Sequence, residues 1–121
     1  MRLQTLWIPG PLPSLNELLG GKLRDRIRLK RQWLDLVVAL AHVNRLLPQI
    51  GPVRMCYDFW ERDRRRDLSN MFAGAVKIIE DALVRAGTLR NDSQRWVRAI
   101  EFGDVAINPG KPGVLVSIYE G

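Results

Sequence analysis

At 121 residues, 46% hydrophobic and 26% charged, the chain has the size and composition of one folded domain rather than a disordered segment. One cysteine excludes an intrachain disulfide, and with a single histidine it excludes a thiolate- or imidazole-based metal site. The net charge of +6 is carried mostly by arginine, whose planar donor fork suits phosphate oxygens, and it points to a polyanion partner such as nucleic acid.

The start, MRLQTLWIPGPLP, lacks the basic-then-apolar design of a signal peptide. No apolar run approaches the ~20 residues that cross a bilayer. The expectation is a cytoplasmic protein.

In chain order, residues 2–8 (RLQTLWI) read as a short strand stopped by Pro9, Gly10, Pro11 and Pro13. Ser14 is placed to cap a brief helix, LNELL, ending at Gly20-Gly21. The basic run 22–31 (KLRDRIRLKR) fits neither period cleanly. Helical spacing is expected from about Lys30 to Leu47, with Trp33, Val37, Leu40, Asn44 and Leu47 near one face. Residues 53–60 (VRMCYDFW) alternate as a half-buried strand, with Val53, Met55, Tyr57 and Phe59 on one side.

A second helix is expected from about Leu68 to Ala86, with Phe72, Val76, Ile79 and Leu83 as its core stripe and Gly87 just past its end. Strand-like runs follow at 95–102 and 114–119, separated by the turn NPGKPG. The expected fold is one α+β domain over 1–121, a mixed sheet of about four strands packed with two main helices.

The stretch Glu61–Asn70 (ERDRRRDLSN) concentrates arginines and carboxylates just before the second helix. No P-loop, dinucleotide fingerprint or nucleophile elbow is present. The chemistry left open is that of carboxylates with a hard cation such as Mg²⁺. The candidates are Asp67, before the helix, and Asp92, in the loop after it. Taken singly, each has a plainer role: Asp67 as a helix cap and Asp92 as a turn residue. A helix of about 30 Å separates them, so one ion cannot touch both within a chain unless the chain doubles back, and spacing alone does not bring them together; contact across a symmetric dimer is one arrangement that geometry permits. On that helix Asn70, Lys77 and Asp81 share a face beside Ala73 and Gly74. Such a face either admits another backbone closely or is a plain polar surface with a Lys77–Asp81 pair.

The runs RRRDLSN, KIIEDALVRAG and NDSQRWV, with IPGPLPSLNELL at the start, resemble the RusA family of Holliday-junction resolvases, small endonucleases of phages and prophages. The resemblance implies a homodimer in the cytoplasm of a bacterial or phage-infected cell. It would bind four-way or other branched DNA and cut two strands symmetrically in recombination and repair, with Mg²⁺ or Mn²⁺. It places catalytic residues at Asp67, Asp92 and Lys77, and the metal at Asp67 and Asp92. DNA contacts are implied for Arg64, Arg65, Arg66, Asn70, Lys77 and Asn16.

Ser69 departs from the family pattern, standing where a metal-binding aspartate is expected. A hydroxyl holds Mg²⁺ more weakly than a carboxylate. Three outcomes follow: a slower enzyme whose ion is held through water by Ser69 and Asn70, substitution by Asp63 or Glu61, or junction binding without cutting.

Overall fold

The computed structural model describes residues 2–121. The elements run β1 (Arg2–Pro9), α1 (Leu15–Leu19), α2 (Leu23–Val43), β2 (Val53–Glu61), α3 (Leu68–Arg85), β3 (Val97–Ile107) and β4 (Gly113–Glu120). This is a single small α+β domain with a four-stranded mixed sheet. The strand order is β1-β4-β2-β3, with β1 and β3 at the edges. β4 pairs antiparallel with both β1 and β2, and β2 pairs parallel with β3.

The alternation expected of β2 holds. Val53, Met55, Tyr57 and Phe59 are buried and sit in register beside Val114, Val116 and Ile118 of β4, whose own neighbours are Leu6 and Ile8 of β1. These residues form one core with Leu34, Val37 and Ala41 of α2 and Ala75, Ile78, Ile79, Ala82 and Leu83 of α3.

Three local readings change. The ambiguous basic run belongs to α2, which begins at Leu23 and stops at Val43, well before Leu47. Arg45 adopts φ 54°, and the Leu46 and Arg45 amides bond back to Ala41 O and His42 O. That is a Schellman end with arginine where glycine is usual, so no sequence signal marks it. Asn44 becomes the cap residue and Leu47 lies exposed in the loop. In α3 Ile79 and Leu83 are buried as expected, whereas Phe72 and Val76 are left half-buried and Met71, Gly74, Ala75, Ile78 and Ala82 complete the buried face. Gly87, at φ 85°, ends α3 as expected, with Thr88 N bonding Leu83 O.

α1 carries a complete capping box between Ser14 and Glu17. Its entry turn packs directly on α3: a Cβ on Gly74 would lie 2.2 Å from Pro13 O and 2.6 Å from Ser14 C. Gly74 thus admits this chain's own backbone, while Ala73 lines a groove beside β3. Gly74→Ala is therefore expected to lower stability by about 1–3 kcal/mol, through overpacking against backbone that cannot yield. A fall in the denaturant midpoint of unfolding checks this.

Candidate functional site

A groove of about 570 Å³ runs along the solvent side of α3 beside edge strand β3. Its floor is apolar, formed by Phe72, Ala73, Val76, Ile100 and Phe102, with the Phe72 and Phe102 rings stacked at 4.1 Å. Ser69 lies along one wall, and Lys77, Glu80, Asp81 and Asp92 supply its charged groups. Ser69 and Glu80 are eleven residues apart, the same helix face at about 16 Å of rise, so the polar groups occupy different stretches of the groove.

Lys77 and Lys30 both approach Asp81 Oδ2, at 3.4 and 3.3 Å, so two ammonium groups share that carboxylate. In the loop after α3, Asn91 makes the turn bond, accepting from the Ser93 amide at 2.9 Å. The exposed Asp92 carboxylate makes no hydrogen bond or ion pair among the described residues, and the turn role expected of it falls to its neighbour.

Glu80 is the residue that sequence reasoning missed. It is buried, and it accepts a hydrogen bond from the Tyr57 hydroxyl at 2.9 Å. The available signal was a carboxylate one turn beyond Val76, amid Ile78, Ile79, Ala82 and Leu83. Burial raises its pKa above the ordinary 4.5; the Tyr57 hydroxyl opposes this, Asp92 and Asp81 add to it, and Lys77 opposes it. Burial and Glu80 likewise push the Tyr57 hydroxyl well above its usual range.

The Asp67 end is organised differently. Asp67 is the N-cap residue of α3 by backbone geometry (φ −67°, ψ 134°), yet its side chain makes no capping bond. The plain capping role is unfilled, and the carboxylate is exposed. It does not line the groove that holds Asp92. Ser69 lies within the first turn of α3 rather than at its cap. Asn16 and Asn70, distant in sequence, do meet: the Asn16 amide donates to Asn70 Oδ1 at 2.9 Å.

The arginine run splits in two. Arg66 donates twice to Glu61, from Nε at 2.9 Å and Nη2 at 3.0 Å, and again to Leu12 O at 2.6 Å. Glu61 is buried beneath it. The guanidinium expected at a phosphate is therefore a strut between the end of β2 and the proline turn, and Glu61 is not free to replace Ser69 as a ligand. Asp63 is occupied as well, accepting from the Arg65 amide at 3.0 Å. Arg64 and Arg65 remain exposed, the Arg65 side chain at 90%.

Among the described residues, no three histidine, cysteine, aspartate or glutamate side chains are gathered to hold a metal ion. An all-protein cage is thus not built by one chain. Mg²⁺ is more often held by one or two carboxylates, with waters and substrate phosphates completing its shell. Asp92, exposed and unpaired among the described residues, is a single carboxylate open to such a shell, while Asp81 is engaged by Lys77 and Lys30 and Glu80 by Tyr57. No helix among the described residues is long and apolar enough to cross a membrane. Compared with known proteins, the chain matches no protein-family model and no curated protein.

Two outcomes separate structural from functional groups. Arg66→Ala leaves Glu61 buried without its partner and is expected to cost about 3 kcal/mol of stability, measured by chemical unfolding. For Glu80, the raised pKa means that its ionised form costs stability at neutral pH, and this cost disappears as pH falls through the raised value towards 4.5. Glu80→Gln keeps an acceptor for Tyr57 without the charge. It should raise the melting temperature at neutral pH, and that advantage should vanish near pH 4.5.

Proposed function

We propose that this protein is a RusA-type, structure-specific endodeoxyribonuclease that binds four-way DNA junctions as a homodimer and cuts them by metal-assisted phosphodiester hydrolysis. The observation that carries the reading is the groove along α3, where Ser69, Lys77 and Asp92, picked separately from three sequence motifs, line one surface.

Within that groove the residues divide the work. Asp92 would hold Mg²⁺ or Mn²⁺ together with water and a substrate phosphate. Bound in that way, a divalent cation supplies a polarised phosphoryl oxygen and a water of lowered pKa. Lys77, half-exposed beside Asp81, offers positive charge to a phosphate whose negative charge grows in the transition state. Arg64 and Arg65, which have no structural bond comparable to that of Arg66, are available to contact the DNA backbone.

The homodimer is supported by the same face. β3 is an 11-residue edge strand, and Ile100 and Phe102 stand 42% and 39% exposed at its side. An unpaired edge and an exposed apolar floor are both features that a second copy would cover. The reading requires a two-fold dimer that sets the Asp67 end of one chain near Asp92 of the other.

A second reading has its own support. Because no three acidic ligands converge among the described residues and serine stands at 69, the protein would bind junctions without cutting them. That reading predicts tight, salt-sensitive binding indifferent to metal.

Nicking of a synthetic four-way junction decides between the two. We expect cleavage that requires Mg²⁺ or Mn²⁺ and is abolished by Asp92→Asn. Ser69→Asp should raise it at least about tenfold, the order of one charged ligand interaction. Junctions left intact across both metals by the wild type and by Ser69→Asp would overturn the nuclease reading.

A further inference from the structure

The first half of α2 carries a basic stripe that the groove does not use. Arg24, Arg28 and Arg31 stand at i, i+4 and i+7, within about 60° of one another around the helix, and all three are exposed. Arg26 and Lys30 on the same helix are engaged, donating to Leu19 O at 2.8 Å and pairing with Asp81 at 3.3 Å. Among the described residues, no carboxylate pairs with Arg24, Arg28 or Arg31.

This arrangement works against the helix that bears it. Like charges at i,i+3 and i,i+4 repel. The cations also crowd the N-terminal half of α2, the positive end of its macrodipole. Lys22 at the N-cap position provides no side-chain cap. Asp25 is the one acidic residue of the run, against six basic ones. Neither packing nor helix stability accounts for three unpaired guanidinium groups in register, whereas a row of phosphates would.

The helix that carries the stripe also borders the candidate site. Asp35, one turn beyond Arg31 on the same face, meets Arg85 of α3 at 3.9 Å. Between α2 and the C-terminal half of α3 lies a second groove, lined by Lys30, Leu34, Arg85 and Asn91, and it shares Asp81 and Asp92 with the first.

We infer that Arg24, Arg28 and Arg31 form a phosphate-backbone contact for duplex DNA, holding a helical arm that extends from the site at Asp92. The inference rests on the reading of this chain as a DNA-junction protein. The three guanidinium groups span about 10 Å of helix rise, enough to meet successive phosphates of one strand, and the contact carries no sequence preference.

The test is the salt dependence of binding by the full chain to a linear duplex of mixed sequence. The wild type is compared with R24Q/R28Q/R31Q and with a charge-matched control, R45Q/R98Q/K111Q. Glutamine keeps the helix propensity of arginine, and circular dichroism verifies that α2 is retained. Three lost phosphate contacts should reduce the slope of log K against log salt by about 2.7, and the control should reduce it by much less. An unchanged slope, an equal fall in the control, or binding to phosphatidylglycerol vesicles without binding to the duplex would overturn the inference. Because the readout is linear-duplex binding, it fails independently of the nuclease reading, which fails on uncut junctions.

Discussion

The parallel pairing of β2 with β3 is the constraint on which the rest of the molecule depends. Two parallel neighbours cannot be joined by a hairpin, so the chain must return along the length of the sheet before β3 begins. α3 makes that return in 18 residues, about 27 Å of rise. Everything at the end of β2, including Asp67, is thereby set apart from everything that precedes β3, including Asp92. The same crossover lays α3 beside an edge strand, and the cleft between them is the groove lined by Ser69, Lys77 and Asp92. The topology that separates the two aspartates within one chain also leaves β3 as an open edge beside the groove.

Two buried carboxylates fix that frame, in contrasting ways. Glu61 is matched by a charge, the Arg66 guanidinium donating through two nitrogens, and the pair ties the end of β2 to the turn before α1. Glu80 is matched by a neutral donor, the Tyr57 hydroxyl, and its ionisation is opposed by burial and by the nearby Asp92 and Asp81. The first pair is a structural joint. The second places a titratable group on the groove wall, where the charge of any ligand is felt.

The positive charge is likewise not one pool. Arg66 and Arg2 are spent on buried or half-buried carboxylates, Glu61 and Glu120, and Lys30 and Lys77 converge on Asp81. Among the described residues, Arg64 in the loop after β2 and Arg24, Arg28 and Arg31 on the exposed flank of α2 have no carboxylate partner, whereas Arg65 pairs with Asp63 at 3.7 Å. Net charge counts the cations, but only the partition of partners tells which arginines are unpaired.

Where local signals and tertiary packing agree, the sequence was legible: the alternation of β2, the Ser14 capping box, the Gly87 helix end and the mixed α+β architecture are all visible in residue order, because period, caps and turns are properties of a few neighbouring residues. The end of α2 was not, since Arg45 occupies a left-handed position with no glycine to announce it. Nor was the burial of Glu80, which needs Tyr57 from another element to be satisfied, or the diversion of Arg66 to Glu61. The sequence by itself determined which residues carry charge, the order of the helices and strands though not the bounds of α2 or β3, and that Ser69 stands where a carboxylate is expected from the resemblance. Only the tertiary structure decided that Ser69, Lys77 and Asp92 share a groove while Asp67 stands outside it. That outcome depends on how a crossover helix packs against an edge strand, a long-range contact that no local period records.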